Sequence, residues 1–179
     1  MYIGITGTLG SGKGEAAKVL RKHGFKHYGF GELLRAEQTR QGLDTSVATT
    51  TNFANNLRKE RGPAVLAELL LREMERDLPK NAVFESIRTL AELQLLRKLP
   101  GFILIAIDAP RETRWERVKS RNRDNLKNFE EFCYWEDKQL EGNAHEQQLL
   151  AVMEEADVRI MNIGELEELE EQLRETLNI

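Results

Sequence analysis

The segment Gly7-Thr8-Leu9-Gly10-Ser11-Gly12-Lys13 matches the spacing G-x-x-x-x-G-K. Glycines at these positions let backbone N–H groups turn inward around a phosphate without a side-chain clash. Lys13 adds a full positive charge, and a helix opening directly after it adds the partial charge of its N-terminus. A short apolar run precedes the motif and a helical pattern follows it, which is the context this phosphate loop requires. Gly7, Thr8, Gly10, Ser11, Gly12, Lys13, Gly14 and Glu15 are therefore candidate nucleotide contacts. The position after the lysine commonly carries a Ser or Thr whose hydroxyl ligates Mg²⁺. Here it is Gly14, followed by Glu15. Mg²⁺ then has to be held through waters and by a carboxylate elsewhere. Asp108 ends the most apolar run and is one such carboxylate; it also reads as a turn residue before Ala109-Pro110. His23, His27 and His145 are scattered and receive no chemistry. No His, Cys and carboxylate set has zinc-like spacing. Cys133 is the single cysteine, so neither an internal disulfide nor a Cys-based zinc site can form.

The elements that must position this loop alternate along the chain. Strands are expected at Tyr2–Thr6, Lys26–Tyr28, Ala82–Glu85, Phe102–Ile107 and Val158–Met161. Phe102–Ile107 is continuously apolar, as a parallel strand covered on both faces is. Helical spacing is expected over Gly14–His23, Glu32–Arg40, Asn52–Arg61, a stretch from Pro63 to about Asp77, Leu90–Lys98, Arg111–Arg121, Glu130–Leu140, Glu146–Glu155 and Gly164–Leu177. Thr45–Thr51 reads as a polar linker, and Pro63 as the first residue of its helix. The alternation predicts an α/β fold with a five-stranded parallel sheet between two helical layers. The stretch from about 32 to 77 is too long for one crossover and reads as a helical insertion.

The 179 residues suit one domain. The net charge of −4 disfavours a nucleic-acid partner, and the longest apolar run is far too short to cross a bilayer. The lone cysteine fits a reducing cytoplasm.

The set of motifs resembles the P-loop nucleoside monophosphate kinases of the adenylate kinase kind. Their loop reads G-x-P-G-[SA]-G-K-G-T, with Gly after the Lys as here; Leu9 and Glu15 replace its Pro and Thr. Gly31-Glu32-Leu33-Leu34-Arg35 resembles their G-D-L-L-R. Glu85-Ser86-Ile87-Arg88-Thr89 resembles their D-G-F-P-R-T, one residue shorter. The resemblance implies that Glu32, Arg35 and Arg88 bind the acceptor, with Arg88 also catalytic, and that Glu85 lies near Mg²⁺. Arg114, Arg117, Arg121 and Arg123 resemble the arginines of the lid helix. The C-terminal stretch from Glu155 to Gly164 resembles dephospho-CoA kinases and kinase-like proteins of unassigned activity found largely in archaea. It implies that Asn162 to Gly164 contact the base of ATP.

Phosphoryl transfer needs alignment, exclusion of water and positive charge around the moving group. Arginines from separate segments should therefore meet in one cleft, where their planar forks hold phosphate oxygens. From Arg111 to Lys127 there are seven basic and three acidic residues, a local net of +4 in a chain of net −4. Arg114, Arg117 and Arg121 share one helix face, and Arg117 and Arg121 are the favoured catalytic pair of a lid spanning about 111–128. The expected activity is Mg²⁺- and ATP-dependent phosphorylation of a nucleoside or deoxynucleoside monophosphate, with Lys13 bridging to the transferred group. Dephospho-CoA is the alternative acceptor, and a nucleotide-dependent switch is the alternative of another class.

Overall fold

The computed structural model describes residues 1–121 and 124–179. Strands β1 (Tyr2–Thr6), β2 (Lys26–Gly29), β3 (Ala82–Glu85), β4 (Phe102–Asp108) and β5 (Val158–Met161) form one parallel sheet in the order β2-β3-β1-β4-β5. The α/β fold with five parallel strands expected from the sequence is the fold observed.

Both sheet faces are covered, which is why the strands read as continuous apolar runs. On one face Ile3, Ile5, Ile105 and Ile107 pack against α1 (Lys13–Lys22) and α9 (Leu166–Leu177) through Leu20, Leu169 and Leu173. On the other, Phe84 and Leu104 pack against α4 (Val65–Asp77), α5 (Leu90–Leu96) and α8 (Leu149–Glu154). Gly4 sits at the centre of β1 because a Cβ there would overlap the Phe102 ring. Between β2 and β3 lie α2 (Phe30–Arg40), α3 (Val47–Arg61) and α4; between β4 and β5 lie α6 (Arg111–Arg121), α7 (Phe129–Leu140) and α8. Leu9, Val118 and Phe132 form a third apolar cluster beneath the loop after β1, with Trp115 and Trp135 packed against it.

Three local expectations are corrected. The Thr45–Thr51 linker is helical from Val47, because the Ser46 hydroxyl accepts from the Thr49 amide and caps α3. Pro63 lies ahead of its helix rather than inside it: Gly62 turns the chain at φ 107, and α4 begins at Val65. The helix expected from Glu146 starts at Leu149, since the Glu146 amide closes a turn on the Asn143 carbonyl and the Gln148 amide donates to the Arg88 carbonyl.

Candidate functional site

β1 is the central strand, with β3 on one side and β4 on the other. A chain leaving its C-terminal end enters the crevice where open α/β sheets bind ligands. The loop occupying that crevice has Gly7, Gly10 and Gly12 at φ 142, 82 and 103. A Cβ on Gly7 would overlap the Ile107 carbonyl oxygen. Three loop carbonyls accept from side chains, one within the loop and two outside it. Thr8 O accepts from Lys13 Nζ at 2.6 Å, Leu9 O from Arg114 Nη1 at 3.3 Å, and Ser11 O from Asn162 Nδ2 at 2.8 Å. Such anchoring leaves the amides of the first turn of α1, which have no intrahelical acceptor, for an anion. The buried Ser11 hydroxyl has no hydrogen-bond partner among the described residues.

Next to the loop lies a cavity of about 660 Å³ whose walls include Gly10, Gly12, Lys13, Gly14 and Glu15. The facing walls carry Glu32 and Arg35 of α2, Glu85 and Arg88 at the end of β3, and Arg117 and Arg121 of α6. Eight Lys or Arg side chains and four carboxylates line it, so it holds excess positive charge in a chain that is negative overall. Buried Lys13 feels this directly. Loss of hydration, then the nearby Arg88 charge, lowers its pKa to about 7 against the opposing pull of Glu85. Burial disfavours the Glu85 charge, but His27, Lys13 and Ser86 outweigh it and hold the carboxyl at about 2. Arg117 presents a buried Nη1 with no partner among the described residues.

Other candidates sit elsewhere. Thr8 is buried, and its hydroxyl donates to Asp108. Asp108 also accepts from the Ala109 amide at 2.9 Å and lies 3.5 Å from Arg114 Nε. It braces the loop from behind and is not part of the cavity wall. Asn162 and Gly164 also lie outside that wall; the Asn162 amide is spent on Ser11, with Met161 and Ile163 exposed on either side. Arg114 shares the helix face of Arg117 and Arg121 but is buried against Leu9, Ala109 and Glu136. Arg123 lies outside the described residues. Trp115 packs on Phe129 and Phe132 in the core.

Several cavity residues carry no sequence signal of their own. His27 lies between Glu85 Oε2, 3.3 Å from its Nε2, and Glu32 Oε2, 3.4 Å from its Nδ1. Arg58 of α3 is 1% exposed and paired with Glu92. Gln139 and Gln147 reach Arg88. A capping box, Thr89-x-x-Glu92, was the one readable hint of Glu92's placement.

A family model described as an AAA domain matches residues 6–132. A UPF0200 protein of Thermococcus onnurineus is 31% identical over 184 residues, covering 98% of this chain and 95% of the relative. The chain belongs to the AAA-domain family and to the UPF0200 proteins. A second UPF0200 protein, from Methanothermobacter thermautotrophicus, is 29% identical and covers 99% of this chain and 89% of its own. Among solved structures, the shikimate kinase of Bacteroides thetaiotaomicron superimposes with a TM-score of 0.64 over 100% of this chain and 99% of that one, at 18% identity. This AAA-domain chain therefore has the P-loop kinase fold. No helix among the described residues is long and apolar enough to cross a membrane.

The loop fits a nucleotide phosphate: its glycines take positive φ and press against Ile107, Arg114 and Asn162 where a Cβ would clash, and among the described residues the Ser11 hydroxyl and Arg117 Nη1 have no hydrogen-bond partner. Gly12→Ala tests the cradle. Its φ of 103 strains any side chain, and a Cβ would displace the Asn162 amide from Ser11. ADP affinity measured by calorimetry is expected to fall at least about tenfold, the equivalent of about 1.4 kcal/mol. For Mg²⁺ the donor set is sparse. Gly14 offers no hydroxyl, and among the described residues no cluster of three or more His, Cys, Asp or Glu could hold a metal. Glu85 is the carboxylate set among the arginines and Lys13, and it fits a water-mediated contact.

Proposed function

We propose that the chain transfers the terminal phosphoryl group of ATP to a small phosphorylated acceptor, a nucleoside or deoxynucleoside monophosphate. The observation that carries this reading is the single cavity in which the phosphate loop faces Arg35, Arg88, Arg117 and Arg121 from three separate segments. ATP phosphates lie along Gly10 to Glu15, with Lys13 on the transferred group. An acceptor phosphate oxygen forms the new bond to the γ-phosphorus as the bond to the β–γ bridging oxygen breaks, and ADP leaves. That nucleophile is already an anion and needs no general base. Arg88 orients the acceptor phosphate, while Arg117 and Arg121, on a lid at about 111–128, offset the charge spread over the moving group. The acceptor's nucleoside lies against the insertion at about 32–77. Glu85 would hold Mg²⁺ through water, and the ion would supply positive charge that screens the phosphates there.

A second reading has one specific support. Glu32 on the cavity wall, with His27 Nδ1 3.4 Å from its Oε2, places a carboxylate at the cleft that suits removing a proton from a hydroxyl acceptor such as the ribose of dephospho-CoA.

A coupled ADP-release assay separates these. The panel holds AMP, CMP, GMP, UMP, their deoxy forms and dephospho-CoA, with Lys13→Ala as the blank. Turnover on a monophosphate, with loss of about a hundredfold or more in Arg88→Ala, is the expected result. Turnover on dephospho-CoA alone, abolished by Glu32→Gln, supports the second reading. ATP binding with no turnover on any acceptor overturns both and favours a nucleotide-dependent switch.

A further inference from the structure

The buried ends of the arginines around the loop are not all held alike. Arg58 pairs with Glu92 at 2.8 Å and Arg121 with Asp124 at 2.7 Å, while Arg114 pairs with Glu136. Arg58 and Arg114 are buried together with their carboxylates, which cancel the guanidinium charge, whereas the Arg121 side chain is 35% exposed. Arg88 is held by neutral oxygens. Its Nη1 donates to Gln139 Oε1 at 2.6 Å and to Gln147 Oε1 at 2.9 Å. Both amides are buried, at 3% and 4% exposure. Gln139 Nε2 donates to Thr51 Oγ1 at 3.3 Å, which ties the amide to α3 and turns its oxygen toward Arg88. The backbone of Arg88 is fixed as well: its amide donates to Glu92 Oε2 at 3.0 Å, and its carbonyl accepts from the Gln148 amide at 2.8 Å.

An amide oxygen orients a guanidinium without cancelling its charge. The residues that do this come from α7 and from the connector to α8, segments that carry none of the recognisable phosphate-site motifs. We propose that Gln139 and Gln147 are positioning residues that aim Arg88 into the cavity with its charge intact, as the seat for the phosphate of the acceptor. This deepens the acceptor-phosphate reading above and rests on it. The choice of amide over carboxylate is then what reserves Arg88 for an anionic ligand, where Glu92 and Glu136 close the charges of Arg58 and Arg114 internally.

The near-isosteric change Gln139→Glu gives effects of opposite sign, which a merely structural role does not. The new carboxylate keeps accepting from Arg88 and pairs with it, so thermal stability stays level or rises. The cancelled charge weakens the seat for phosphate. The probe is inorganic phosphate titrated by NMR into the ADP-loaded protein, in which ADP fills the loop and leaves the seat at Arg88 open. Phosphate affinity is expected to fall at least about tenfold in Gln139→Glu, as loss of charged hydrogen bonds does, with ADP affinity unchanged. Gln139→Met removes the oxygen without adding charge and should weaken phosphate less. Gln147→Glu repeats the test should Gln139→Glu fail to fold. Phosphate affinity unchanged in the Glu variants overturns the proposal. So does an equal loss in Gln139→Met and Gln139→Glu, or an absence of phosphate binding by the ADP-loaded wild type. Failure of the wild type to bind ADP overturns the underlying kinase reading instead.

Discussion

Lys13→Met is expected to make the ligand-free protein more stable while abolishing nucleotide binding. The Lys13 ammonium is buried, with one hydrogen bond, to Thr8 O at 2.6 Å. Burial first, and then the charges of Arg88, Arg121 and Arg114, bring its pKa from 10.5 to about 7. The folded state therefore prefers the neutral amine, whereas the unfolded chain holds the proton up to 10.5. The sign follows: the charged lysine costs the fold most below pH 7, and the cost fades as pH rises from 7 to 10.5. Conversion of that pKa difference sets a ceiling of about 5 kcal/mol. Met fills similar volume and carries no charge. In urea titrations the variant should exceed wild type by a few kcal/mol at about pH 6.5, with the gap narrowing by about pH 9.5. A constant gap across that range, or a less stable variant, would refute the argument. Nucleotide supplies the missing counter-charge, so saturating ADP should stabilise wild type and leave Lys13→Met unmoved. Proton uptake should accompany ADP binding by wild type above about pH 7, and affinity should fall as pH rises through that range.

The same lysine shows what sequence reading reaches. Its loop is legible because the chemistry is local: within one short segment, glycines, a lysine and a following helix create the whole cradle. The five strands are legible because a sheet covered on both faces makes each strand a short apolar run. The cavity's far wall is different. Arg58 sits in Arg58-Lys59-Glu60-Arg61, where any charge reads as a solvated helix face. Its burial is decided by α5, 34 residues away, through Glu92. Gln139 and Gln147 are 51 and 59 residues from the arginine they hold, and a lone amide carries no motif. His27 lies on a four-residue strand, and the carboxylates beside it come from two other elements. Arg35 and Arg88 were legible by resemblance, since Gly31 to Arg35 and Glu85 to Thr89 carry recognisable order. Asn162 was read by resemblance as a contact to the base of ATP, and its bond to Ser11 was not legible. That bond needs the β5 end to pass beneath the loop, which spacing alone does not convey.

Glu92→Gln is expected to lower stability by about 3–5 kcal/mol, because one buried carboxylate closes three separate demands. Glu92 is fully buried. Its Oε1 accepts from Arg58 Nε at 3.1 Å and Nη2 at 2.8 Å. Its Oε2 accepts from the amides of Arg88 at 3.0 Å and Thr89 at 3.1 Å, which completes the cap of α5. Every partner is a donor. An amide at position 92 keeps one accepting oxygen and turns an NH₂ toward either the guanidinium or the backbone pair, so one side faces donor against donor. Arg58, itself nearly inaccessible, is then left charged without a counter-charge. For a chain of this length the loss corresponds to a fall of roughly 6–20 °C in Tm. Arg58→Met with Glu92→Gln should recover part of it, because the stranded charge leaves with the arginine. A double variant no better than Glu92→Gln alone would mean that the α5 cap, not the ion pair, carries the cost. Glu92 also fixes the Arg88 backbone, so the surviving folded Glu92→Gln protein, assayed well below its Tm, should lose affinity for acceptor phosphate while keeping affinity for ADP. Packing of α3 against α5 and the backbone of Arg88 are in this way set by one side chain that lies outside the cavity wall.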